Sequence, residues 1–136
     1  MPLGNVLGEV VAKVTSVRIS DLGGGQRRLE IDSTGEVKGQ VPGQGFATMI
    51  VEGITGQTVT YTTTATVLAA SGAVVRMSGR GVGIRTGEGH KMRYRGAACY
   101  STDDPKLAAL NGLLGAAEFE LDPATMTING TAYEWK

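Results

Sequence analysis

"GRGVGIRTGEGHKMRYRGAACY", residues 79–100, packs six glycines and six basic side chains, His90 among them, into one short run. A phosphate-cradling loop would need G-x-x-x-x-G-K-[ST] between a strand and a helix, or G-x-G-x-x-G opening a helix. Here "GRGVG" leads into "IRTGEGHKMRYR", which continues a β pattern, and Lys91 is followed by Met92 rather than a hydroxyl residue. The run therefore reads as a hairpin. "RTGEGH" makes the turn, and Gly79, Gly81 and Gly83 permit strong strand curvature.

The same grammar, an alternating run and then a glycine turn, extends in both directions. β-type runs cover 6–20, 27–39, 46–53, 58–69, 74–85, 90–101, 116–122 and 125–135, joined mostly by short turns such as "DLGGGQ", "PGQG", "ITGQ" and "ASGA". Short turns favour antiparallel neighbours. Eight such strands are expected to close into an up-and-down, calycin-like antiparallel barrel, which removes both unpaired edges. A flattened sandwich is the alternative. One helix is expected between strands six and seven, in "DDPKLAALNGLLG". Asp103 or Asp104 would cap it, with Pro105 in its first turn. Leu107, Leu110, Leu113 and Leu114 would share one face, and Gly112 or Gly115 would end it.

The totals narrow the class. The 136 residues are read as one all-β domain, 1–136, long enough to bury roughly two thirds of the unfolded surface. Thirteen basic and thirteen acidic residues leave no net charge, which speaks against a nucleic-acid partner. One cysteine and one histidine exclude an intrachain disulfide and a Cys/His zinc site, so neither a metal nor a cofactor is expected. No basic segment followed by an apolar stretch opens the chain, and no apolar run nears the ~20 residues of a membrane helix. The expectation is a soluble, cytoplasmic protein without membrane contact.

Strand parity sorts the side chains. In 58–69 one face is Thr58, Thr60, Thr62, Thr64 and Thr66, expected outside; the other is Val59, Tyr61, Thr63, Ala65 and Val67. In 90–101, Lys91, Arg93 and Arg95 mark the outer face, because unpaired cations are not readily buried. His90, Met92, Tyr94, Ala98 and Tyr100 are then inward. Val75 and Met77 join them, with Arg76, Ser78 and Arg80 outside, as do Ala47, Met49 and Val51. The lumen so inferred has apolar walls and a few polar handles, the composition of a small-molecule pocket. A packed core using the same methionines is the competing picture.

Candidate ligand-binding residues are Met49, Met77, Met92, Tyr100 and Val75. Candidate catalytic residues are Tyr94, His90 and Tyr61, which could supply a hydrogen bond or a proton; for His90, near a hairpin end, a solvated turn histidine is the competing reading. Glu88 and Glu118 are further candidate bases, expected on the exterior, and Cys99 is expected to pack rather than react. Arg76, Arg80, Lys91, Arg93 and Arg95 would form a positive outer patch, paired with acids of neighbouring strands.

The segment "GEGHKMRYRGAACYSTDDPKLAALNGLLGAAEFELD" resembles small bacterial barrel families carrying a "dP-x-L-x-x-LNGL-x-G" pattern. It is also similar to the allene oxide cyclase and dirigent group, with Asn111, Gly112, Gly115 and Phe119 at the matching positions of a glycine-rich turn before a late strand. The resemblance implies an eight-stranded barrel, often oligomeric, that holds a hydrophobic small molecule, and in some members steers isomerisation or cyclisation. No catalytic residue of that group carries over. Three functions follow as expectations. The first is a metal-free isomerase, cyclase or lyase acting on an apolar substrate in the lumen. The second is a non-catalytic carrier of such a molecule. The third is an oligomeric interaction module with a filled barrel. A homo-oligomer is expected.

Overall fold

The structure, a computed structural model, describes residues 3–53, 58–87 and 89–135. The "ITGQ" turn and Glu88, one of the candidate bases, lie outside the described residues. Eight strands follow in chain order: β1 (Leu3–Gly23), β2 (Gln26–Gly39), β3 (Gly43–Glu52), β4 (Thr58–Ala69), β5 (Val74–Arg85), β6 (Met92–Thr102), β7 (Leu114–Asp122) and β8 (Thr127–Trp135). Each pairs antiparallel with the next and β8 returns to β1, so the sheet is a closed barrel and not a sandwich. β1 runs well past its sequence-expected limits. It leaves β8 after Lys13↔Thr127 and continues against β2 to Gly23↔Gln26, with register shifts at Val14/Ser16 and Asp21/Gly23.

The alternation read from the sequence sets the two faces. Val59 and Tyr61 are buried while Thr58, Thr60, Thr62 and Thr64 are exposed. Met49, Val51, Val75, Tyr94 and Ala98 are likewise buried inside. Outside, neighbouring strands exchange polar contacts. Asp32 accepts hydrogen bonds from Thr48 Oγ1 (2.7 Å) and Ser16 Oγ (3.0 Å), which hold its carboxyl below the ordinary range. Of the outer cations, Arg95 pairs with an acid of β7, 3.1 Å from Glu118, and Arg93 is in register with Glu120. Solvent screening leaves such a pair little net energy.

The helical segment is a 3₁₀ helix, η1 (Pro105–Gly112), rather than the expected α-helix. The sequence carries the reason. Leu107, Leu110 and Leu113 are spaced by three, the repeat at which 3₁₀ side chains eclipse. Leu114 belongs to β7 instead and is exposed. Asp104 is the N-cap, accepting from the Lys106 amide at 2.8 Å. The element is fastened to the end of β6 by Asn111. Its Oδ1 accepts from the Thr102 amide (2.8 Å) and its Nδ2 donates to the Thr102 carbonyl (3.1 Å). Leu110 is thereby turned inward and buried.

Candidate functional site

Side-chain size divides the lumen into two levels. The lower level is filled by one cluster: Ala12, Ile31, Met49, Val51, Val59, Tyr61, Tyr94, Leu121 and Ile128, with Met92 and Phe119 packed against it. Three rings form its upper layer. Tyr94 stacks on Phe119 (centroids 5.0 Å apart, planes at 15°), and Tyr61 meets both edge-on at 5.3 Å. Such pairs contribute ~0.5–1.5 kcal/mol each beyond the area they bury.

Glycines on the neighbouring strands make room for these rings. A β-carbon on Gly83 would stand 2.6 Å from the Tyr94 ring. One on Gly96 would collide with the Tyr61 hydroxyl and the Arg80 carbonyl. Gly81 and Gly96 are register partners on β5 and β6, and a β-carbon on Gly81 would run into the Gly96 backbone. The glycines turn no phosphate loop; Gly83 and Gly96 seat aromatic side chains.

Above the rings the walls carry small residues and leave a cavity of about 230 Å³. The reason is visible in one row of register partners. Ser33, Ala47, Ala65, Met77 and Tyr100 follow one another from β2 to β6. Three of the five are no larger than serine, so the space between the walls is not filled. Ala98, Ala117 and Ala132 continue the small lining on β6–β8, and Leu7 and Leu110 also line the cavity. A broader concavity of about 920 Å³ lies over the outer face of β2–β6, among them Thr34, Thr48, Thr64 and Thr66. It is an open trough and encloses nothing, whereas ligand sites bury most of their occupant.

The sequence-derived candidates fall into three groups. Met49, Met77, Val75, Tyr100 and Tyr61 all line the cavity. Met92 and Tyr94 face inward but belong to the packed level below it. His90 is a correction: it is exposed, in the turn before β6, with Nδ1 3.0 Å from an Arg85 terminal nitrogen. β6 begins at Met92, so strand parity does not extend back to residue 90. Glu118 is exposed and paired with Arg95, and Cys99 is exposed on the outer face. Ser33 and Phe119 also line the cavity and are not among the sequence-derived candidates. Continuing the Leu29–Ile31 alternation reaches Ser33, and Phe119 stands between Glu118 and Glu120, so the signal for both was present.

Burial sets the protonation of the tyrosines. It pushes Tyr61 up to about 12; for Tyr94, burial first and then the neighbouring Tyr61 do the same. Burial also raises Tyr100. All three are neutral hydroxyls at ordinary pH, able to donate a hydrogen bond and unsuited to act as bases. Because Tyr94 is packed among the rings beneath the cavity and does not line it, Tyr94→Phe is expected to leave occupancy of the cavity unchanged, within about twofold by titration. A larger loss would place Tyr94 at the site after all.

No protein-family model and no curated protein matches the sequence, so the chain is assigned to no family, the allene oxide cyclase and dirigent group included. Solved structures match it over nearly their whole length. A protein of unknown function from Clostridium acetobutylicum superposes with a TM-score of 0.81 at 14% identity, covering 100% of both chains. A β-barrel-like protein from Acinetobacter baumannii gives 0.76 at 16% identity, covering 99% of this chain and 96% of that one. An enzyme from Penicillium herquei gives 0.66 at 16% identity, covering 98% and 96%. At these identities the likeness is one of fold: small closed β-barrels, at least one of which is an enzyme. Among the described residues, no helix is long and apolar enough to cross a membrane.

Proposed function

We propose that the barrel takes up one small apolar molecule in its upper lumen. The observation that carries this reading is the cavity of about 230 Å³, walled by alanines, glycines, Val75 and Met77 and floored by Tyr61. An apolar cavity of about 150 Å³ already accepts benzene in another protein, so a bicyclic molecule of about ten non-hydrogen atoms suits this one. A filled-barrel interaction module draws no support from such a lumen.

Methyl NMR with naphthalene as probe tests the reading, because the methionines report on different levels. Met77 lines the cavity, Met92 lies below the rings and Met126 is on the surface. Saturable shifts at Met77, with Met92 and Met126 still, are the expected result. Shifts at none of them, or at Met126 alone, would remove the proposal.

A metal-free isomerase or cyclase working on the same occupant is the second reading. It is favoured by the two tyrosines, Tyr61 and Tyr100, that line the cavity with their protons retained. Neutral donors of this kind stabilise oxygen charge as it develops, and an enclosing wall supplies orientation. Turnover would then fall in Tyr100→Phe while naphthalene binding is kept.

A further inference from the structure

Resting on the lumen reading above, we propose that the occupant is an uncharged molecule with a hydrogen-bond-accepting oxygen, a ketone or lactone in kind, whose oxygen meets the Tyr100 hydroxyl while its apolar body lies towards Tyr61. Three observations lead there. The first is placement. Tyr100 and Ser33 end the register row that runs over β2–β6, and both line the cavity. Between them lie Ala47, Ala65 and Met77, which offer an occupant apolar contact only.

The second is the state of the Tyr100 hydroxyl. Its ring leans over β7, where a β-carbon on Gly115 would stand 2.8 Å from the hydroxyl oxygen. Burial and the nearby Cys99 account for its raised pKa, with no hydrogen bond contributing. The residue borders the cavity, so an occupant that supplies an acceptor can gain a hydrogen bond from this hydroxyl that a purely apolar one cannot.

The third is charge. Among the described residues lining the cavity the charged ones are Glu9 and Glu118, both exposed, and Glu118 is paired outward with Arg95. No cation is present there to meet an anion. A carboxylate would enter unpaired, at a cost far above what one tyrosine hydrogen bond returns.

Three bicyclic probes of similar size separate the possibilities: naphthalene, 1-tetralone and 1-naphthoate, each followed by the Met77 methyl shift at pH 7.5. The expected ranking is 1-tetralone about five- to tenfold tighter than naphthalene, the return on one added hydrogen bond, and no saturation with 1-naphthoate. Tyr100→Phe is expected to bring 1-tetralone down to the naphthalene value and leave naphthalene itself unchanged. 1-Naphthoate binding as tightly as 1-tetralone, or naphthalene binding as tightly as 1-tetralone, would overturn the uncharged-acceptor assignment and leave the lumen reading standing. Failure of all three to move Met77 would overturn both. The ranking is read on the wild-type protein, so it holds as a test even if Tyr100→Phe does not fold.

Discussion

Gly96→Ala is expected to destabilise the protein by about 3 kcal/mol, a fall in midpoint of roughly 10 °C for a chain of this size. The added carbon points at the Arg80 carbonyl across the β5–β6 ladder, which is fixed, and at the Tyr61 hydroxyl. A flexible neighbour could swing aside; a backbone carbonyl in a closed barrel cannot, because moving it breaks pairing on both sides. Tyr61 would be displaced from its edge-on contacts with Tyr94 and Phe119, so the floor of the cavity would be lost together with stability. Gly112→Ala is the control. It sits on η1 with nothing within 4 Å of a new β-carbon, and its midpoint is expected to move by no more than about 0.5 kcal/mol. Thermal or urea unfolding of both variants checks the pair. Equal midpoints would show that the close approach of Gly81 and Gly96 is not the constraint described.

Ala65→Leu is expected to have the opposite signature, with binding lost and the fold kept. Ala65 is the middle member of the small-residue row and its side chain borders the cavity directly. A leucine there occupies the space meant for an occupant, and naphthalene affinity is expected to fall about fiftyfold, ~2.3 kcal/mol. Filling an existing void does not overpack the core, so unfolding stability should be unchanged or up to about 1 kcal/mol higher. Thr64→Leu, one residue away and pointing outward, is expected to leave affinity as it was. Titration of the three proteins with naphthalene, beside their urea midpoints, separates occlusion of a site from general damage. Retained affinity in Ala65→Leu would place the binding, if any, somewhere other than the upper lumen.

Together with Tyr94→Phe, these substitutions set the rings and the space above them apart. Tyr94 and Gly96 belong to the wall and floor, Ala65 and Tyr100 to the space itself. An enzyme and a carrier would share that division. They differ in whether the Tyr100 hydroxyl is needed for turnover or only for grip.

The amino-acid sequence by itself determined the number of strands, their antiparallel order and which side of β3–β6 faces inward. Those features depend on a period of two and on turn residues, both local to a few positions. Five alternate threonines in 58–66 need no tertiary information to be recognised as one face. Only the tertiary structure decided that His90 lies off the strand and in solvent. A strand begins where its neighbour begins to pair with it, and β5 first pairs with β6 at Arg85↔Met92. It also decided that the lumen is full below and open above. Occupancy depends on which residues of different strands share a row, and rows are set by the relative stagger of strands around the closed barrel. Ser33, Ala47, Ala65, Met77 and Tyr100 are spread over 68 positions of the sequence. Their adjacency, and with it the cavity, exists only once the ring is closed.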